Sequence, residues 1–300
     1  MPRTQFSSRA KNNPIRPIVS VIACSLIWAS TLTQAQTKSG LPEWLSLGFE
    51  QQSRMQHLEG QFRAGLDGSD QGFEWRNSLT AEASFEKFSI TAEVADMRTY
   101  LTDSGSPLDS FFANPLDILQ ANVTVPIANV FSESDRGFIK VGRFTMDQGS
   151  RRFVARNRFR NTINSFAGVQ ARLENGDTSL DLFYTRPTAR RVSGDWIDND
   201  PKLDKQSSDF FWGAYFTTRL TAQADSLQLY LLGANEKRNR PANQRFDVLT
   251  TGARLFRNPT AGSWHYDIEA VYQLGDAPAL DASSALLDHK ARYFHLSFGY

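Results

Sequence analysis

Residues 75–94 read WRNSLTAEASFEKFSITAEV, and this stretch decides the fold. Trp75, Leu79, Ala81, Ala83 and Phe85 alternate with Arg76, Ser78, Thr80, Glu82 and Ser84. After a short link at Glu86 and Lys87, Phe88, Ile90, Ala92 and Val94 alternate with Ser89, Thr91 and Glu93. A period of two marks extended backbone with one apolar and one polar face. Two such runs on a tight link make a β-hairpin.

The same pattern extends in both directions. Leu45, Leu47 and Phe49 interleave with Ser46, Gly48 and Glu50. Further runs lie at Leu119 to Val125, Ile139 to Val141, Val169 to Leu173, Leu180 to Tyr184, Phe210 to Phe216, Leu227 to Leu231, Leu249 to Leu255, Tyr266 to Tyr272 and Phe294 to Tyr300. The pattern predicts about twelve strands and no amphipathic helix from Leu45 onward. Short links at Glu86-Lys87, Glu174 to Asp177 and Asn258 to Gly262 separate long ones at Met55 to Gly72, Thr99 to Asp117, Phe144 to Ser165, Pro187 to Ser208 and Asp276 to Asp288. Pro126 to Arg136 is the exception, longer than a tight turn requires. Alternating short and long connections characterise an all-β transmembrane antiparallel up-and-down barrel, with turns in the periplasm and loops outside. A soluble β-sandwich would share the alternation. Here, however, one face is charged and the other aromatic or aliphatic in nearly every run.

Composition agrees. A mean hydropathy of −0.42 excludes a bundle of membrane helices, each of which needs about 20 apolar residues. At the N-terminus Arg3, Arg9, Lys11 and Arg16 precede an apolar run from Ile18 to Ala29 and a small-residue site ending at Ala35. This is the pattern of a secretory signal over residues 1–35, with the barrel domain at residues 36–300. The run from Ile18 to Ala23 is too short to make Cys24 a lipid-attachment site. Cleavage removes four of the 33 basic residues and none of the 32 acidic ones, leaving 29 against 32. It also removes the one cysteine, so the mature chain has neither disulfides nor thiol chemistry.

If the apolar face meets lipid, the lumen receives Glu50, Arg54, Arg76, Glu82, Glu93, Lys140, Arg172, Asp181, Arg254, Asp267 and Glu269. These can pair across strands as a salt-bridge lattice, or they can attract and guide anions. From Val141 to Val169 the chain carries Arg143, Arg151, Arg152, Arg156, Arg158 and Arg160 against only Asp147, with no lysine. Guanidinium is a planar fork for carboxylate or phosphate, charged at every relevant pH. The stretch could bind solute, or lie outside against lipopolysaccharide phosphates or solvent.

Enzyme chemistry finds little support. His57, His265, His289 and His295 are scattered. His295 and Ser297 share a strand face and resemble the His-x-Ser strand of outer-membrane phospholipase, yet parity turns them inward with no acid to orient them. Asp267 and Glu269, about 7 Å apart by strand geometry, read as lumen charge. Asp195, Asp198 and Asp200 could hold Ca²⁺ in a loop, although their spacing fits a solvated loop better. No cofactor motif, zinc spacing or nucleic-acid patch is present.

Val141-Gly142-Arg143, then Asp147, Gly149, Ser150 and Arg152, then Ser165-Phe166 and Gly168-Val169, together resemble the signature of the alginate export family. Glu93, Asp96 and Arg98 fit it as well, as do Gly252-Ala253-Arg254 and Glu269 with Gln273 and Gly275. The resemblance runs in order over nearly all of the mature chain. It implies an outer-membrane porin of about eighteen strands that passes polyuronate without energy input. Its constriction would be lined by arginines and a few carboxylates, here Arg54, Arg76, Arg143, Arg152, Arg172 and Arg254, with Glu93, Lys140, Asp267 and Glu269. Partners would be anionic polysaccharide or oligosaccharide, outer-membrane lipid and lipopolysaccharide, and periplasmic export components. Ala167 departs from the family, which has Asp there. About twelve strands before Tyr300 are fewer than the family's, so the sequence reads as a truncated or split form, or else as a genuine twelve-stranded barrel whose narrower lumen suits acidic oligosaccharides better than a polymer. The alternative reading is a plugged structural or adhesive barrel that binds surface polyanions through an external Arg-rich loop.

Overall fold

The computed structural model describes residues 28–36, 40–60, 69–103, 105, 106, 108, 110–189, 197–222, 225–236, 246–278 and 286–300. One antiparallel sheet contains nearly every element. Its strands are β1 (Trp28–Gln36), β2 (Leu45–Leu58), β3 (Asp70–Ser84), β4 (Ser89–Tyr100), β5 (Asn114–Ala128), β6 (Arg136–Phe144) and β7 (Phe166–Asn175). They continue with β8 (Thr178–Ala189), the two-residue β9 (Lys205–Gln206), β10 (Phe210–Arg219), β11 (Ser226–Glu236), β12 (Phe246–Arg257), β13 (His265–Pro278) and β14 (Leu286–Gly299). Each long strand pairs with its sequence neighbours, β8 passing directly to β10 with β9 as a side branch. This is the up-and-down order of a transmembrane β-barrel. β1 and β14 are the edges of the sheet and are not paired with each other.

From Leu45 onward, twelve long strands stand where the alternation predicts them. The expected signal segment divides differently. Residues 1–27, with Arg3, Arg9, Lys11, Arg16 and Cys24, lie outside the described residues. Trp28–Gln36 is a strand laid on β2, Gln34 opposite Glu50, and it crosses the expected cut after Ala35.

The two faces invert the soluble pattern. Glu74, Arg76 and Glu93 are each 2% exposed, whereas Leu79 is 55% and Phe294 and Phe298 each 65% exposed. Water would not allow so many bare aromatic and aliphatic side chains beside buried charges, but acyl chains around a wet lumen do. At the short-turn end Trp44 stacks on Phe85 at 6.0 Å and Trp264 meets Tyr300 at 5.2 Å. Amphipathic rings of this kind mark a membrane–water boundary.

The turns follow local chemistry. Gly176 takes φ +55°, which suits the Asn-Gly hairpin between β7 and β8. The long exception between β5 and β6 is closed by one side chain. Asp135 accepts from the Phe131 amide at 2.6 Å, the Ser132 amide at 2.8 Å, the Ser132 hydroxyl at 2.7 Å and Asn175 Nδ2 at 2.6 Å. The Ser132 hydroxyl and Phe131 amide lead these donors in holding its carboxyl down at about 2.

A carboxyl held below its ordinary value stabilises the turn above about pH 4, and that contribution is lost as pH falls through about 2. Asp135→Asn should therefore lower the amide-exchange protection factors of Phe131 and Ser132 at pH 6, with little further loss of protection on acidification. Wild type should fall to the same protection factors only near pH 2.

Candidate functional site

The link between β6 and β7 forms the site. Residues 145–165 do not extend outward as the sequence reading allowed; they fold back against the inner face of the sheet. Their apolar members enter two clusters. Met146 and Val154 pack with Phe144, Phe166, Phe183, Tyr215, Tyr230, Leu232 and Val271, while Ile163 packs with Ala95, Met97 and Leu119. The Gln148–Val154 bridge and the Asp147 carboxylate, accepting from the Arg156 amide at 2.7 Å, shape the fold-back. Gly149 has φ +58°, and a Cβ there would stand 2.8 Å from both Gln228 Oε1 and Tyr215 Cε1. Only glycine fits at that approach.

Charge fastens the loop to two regions of the wall. On the β2–β5 side, Arg54 bonds Glu74 and the Phe159 carbonyl. Arg76 pairs with Glu50 at 3.2 Å and donates to the Arg160 and Asn161 carbonyls at 3.3 and 3.1 Å. Arg156, from the loop, grips Glu93 through both terminal nitrogens at 2.7 and 3.1 Å. Asn161 donates to the Arg98 and Phe112 carbonyls at 2.9 and 3.0 Å. On the β11–β13 side, Arg152 bonds Glu269 and reaches Asp267 at 3.2 Å. Glu269 also accepts from the Tyr230 hydroxyl at 2.7 Å and the Ser150 hydroxyl at 3.1 Å. Arg254 completes the group at 2.7 Å from Asp267. A guanidinium spanning two carboxylates holds orientation as well as charge.

The remaining predicted residues are held chiefly by the wall. Arg172 pairs with Asp181 at 3.3 Å and Glu174 at 2.6 Å. Arg143 bonds Asp117 and donates to the Ser165 hydroxyl at 3.1 Å, which ties the top of β6 to β5 and the loop's end. Lys140 has no ion pair among the described residues; its ammonium lies over the Phe138 and Phe144 rings at 5.3 and 5.9 Å.

A family model for alginate export matches residues 43–300. The chain belongs to the alginate export family. No curated protein and no solved structure matches it. Alginate export is a transport-channel function, and membership points to an outer-membrane barrel through which polysaccharide leaves the cell.

Within this alginate export chain, parity separates residues that are close in sequence. Glu93 faces the loop, whereas Asp96 and Arg98 pair with each other at 3.0 Å on the opposite face of β4. Glu74, Asp117 and Tyr230 were missed as site residues, and Arg156 was named only within the arginine-rich stretch. Glu74 shares the inward parity of Arg76, and that signal was available; the roles of Arg156 and Tyr230 depend on the loop's path, which periodicity does not encode. The sequence reading also found no acid beside His295. The register sets Asp267 opposite Ser297, with its carboxylate 3.9 Å from His295 Nε2. At 3.9 Å that contact is longer than a hydrogen bond, and the carboxylate is bonded to Arg254 at 2.7 Å and Arg152 at 3.2 Å. Asp198 is paired with Lys202, Asp195 lies outside the described residues, and no metal-binding cluster occurs among those described.

Glu269→Ala removes the carboxylate that collects Arg152, Ser150 and Tyr230. The loop's docking should weaken by about 2 kcal/mol, the worth of hydrogen bonds to a charged group. Limited trypsin digestion of the purified protein should then cut at Arg151 or Arg152 faster than in wild type. An equal rate would mean that the apolar contacts of Met146 and Val154 suffice.

Proposed function

We propose that the protein is a passive outer-membrane channel for anionic polysaccharide or oligosaccharide of the alginate type, with residues 145–165 forming its constriction. One observation carries the reading: a guanidinium-rich loop lies on the charged face of the sheet, bonded to its carboxylates, rather than extending away from it. Inside a low-dielectric wall, arginines recognise carboxylates through paired hydrogen bonds, which is what a polyuronate presents at every sugar. No step in such passage calls for a nucleophile, a cofactor or an energy source.

On this reading residues 1–35 are a signal removed on export, the short turns face the periplasm, and outer-membrane lipid and lipopolysaccharide surround the belt. Periplasmic export components would deliver the polymer to the short-turn end. After cleavage at Ala35, β2 in place of β1 would be the N-terminal edge of the sheet.

A second reading has one observation in its favour. The loop reaches from β4 to β13, as a plug would. Its adhesive half has less support, because Arg152 and Arg156 of this loop turn inward onto wall carboxylates.

Planar-bilayer conductance separates the two readings. The channel should show discrete steps, prefer anions, and be blocked by added polyuronate; a plug shows no steps. Arg254→Ala, which leaves Asp267 with less countercharge, and Arg172→Ala should each move the reversal potential toward cations. Unchanged potentials would count against a lining role for these two arginines.

A further inference from the structure

Most exposed aromatic and aliphatic side chains of the strands point outward, where acyl chains cover them. Tyr293 of β14 does not. The register sets it opposite Val271 of β13, which packs in the loop's apolar cluster on the inner face, yet Tyr293 is 43% exposed. Phe153 of the loop is 36% exposed, its ring centred 6.1 Å from that of Tyr230. Both rings line one cleft of about 500 Å³ between the loop and the β13–β14 wall, with Val271, Ala291, Gln273 and Arg152. The polar members of the cleft are already engaged. Arg152 is bonded to Glu269 and Asp267, and Gln273 to Thr250 at 2.9 Å and His289 at 3.3 Å. What the cleft leaves uncovered is ring and aliphatic surface on the wet side of the wall, and such surface marks a place for a partner.

We propose that this cleft holds one sugar ring of the passing chain by its apolar face, with the ring's C–H groups laid on Phe153 and Tyr293. The inference rests on the channel reading and deepens it, because the subsite reads the ring and not its charge. Size, face and charge support it together. The volume lies within the roughly 300–1,000 Å³ of clefts that hold small ligands. An acyl chain would suit the rings, but acyl chains lie against the opposite face of the sheet. A phosphate or an isolated carboxylate would gain little, since Arg152 already answers two wall carboxylates. A sugar ring has what remains. Its C–H groups carry slight positive charge and meet the negative faces of aromatic rings, while its hydroxyls point outward and stay in water.

The test measures binding to the purified full chain in detergent by calorimetry. Its probes are a 1,4-linked trimer of mannuronate and the matching trimer of mannose, which keeps the ring faces and lacks the carboxylates. The mannose trimer should bind, and its affinity should hold within about twofold between roughly 0.05 and 1 M salt, because a contact without charge is not screened. Tyr293→Leu and Phe153→Leu keep apolar bulk and lose the flat ring; each should weaken both trimers about fivefold. Tyr293→Phe and Phe153→Tyr keep the ring and should bind like wild type. Tyr293 lies outside the loop, so its variants decide the matter even where Phe153→Leu loosens the loop. The subsite is overturned if the mannose trimer fails to bind while the mannuronate trimer does, or if Tyr293→Leu binds both like wild type. A mannuronate trimer that neither binds nor blocks conductance would instead overturn the channel reading itself.

Discussion

Glu93 on β4 and Glu269 on β13 are almost fully buried, and an ionised carboxylate in such a place must meet a cation. Leaving one unpaired costs several kcal/mol even after the protein relaxes. The wall itself supplies partners for Glu50 and Glu74, through Arg76 and Arg54. For Glu93 and Glu269 the cations come from the loop, as Arg156 and Arg152. The carboxylates therefore hold residues 145–165 inside as firmly as any packing contact does. The need for arginine is geometric. Arg156 meets one carboxylate with two nitrogens and Arg152 bridges two carboxylates, which a lysine ammonium on a flexible stem does less well.

Packing adds to this constraint. Val154 is fully buried against Phe144 and its neighbours, and Ile163 fills a second pocket beside Leu119 and Met97. A loop that buries apolar side chains inside a wet barrel removes their surface from water, and this favours docking independently of charge. Gly149 permits both, since any side chain there would strike Tyr215 before Arg152 reached Glu269. Charge fixes where the loop lies, and apolar burial keeps it there.

Strand order, face polarity and pairing were legible because a two-residue period is a local property. The face of Arg76, Glu93 or Asp267 follows from its neighbours alone. The loop's route was not legible, because it depends on contacts more than a hundred residues apart, such as Ser150 to Glu269, that leave no periodic mark. The arginine content of residues 143–160 announced that something anionic would be bound, and most of that anion turned out to be the protein's own carboxylates. How the long turn before β6 closes was not legible for a related reason. Its closure lies in the hydrogen-bonding capacity of Asp135 rather than in the number of residues.

Pairing also bears on how a channel could use these arginines. Unpaired guanidiniums half-buried against the wall would hold a polyanion too tightly for it to leave, and conduction needs binding that is favourable but weak. An arginine already bonded to a wall carboxylate presents a shallower well. On the channel reading, a passing uronate would share such a guanidinium with its wall carboxylate rather than displace it, since a buried carboxylate left unpaired costs several kcal/mol. The lattice that fixes the loop is then the same device that keeps the path smooth.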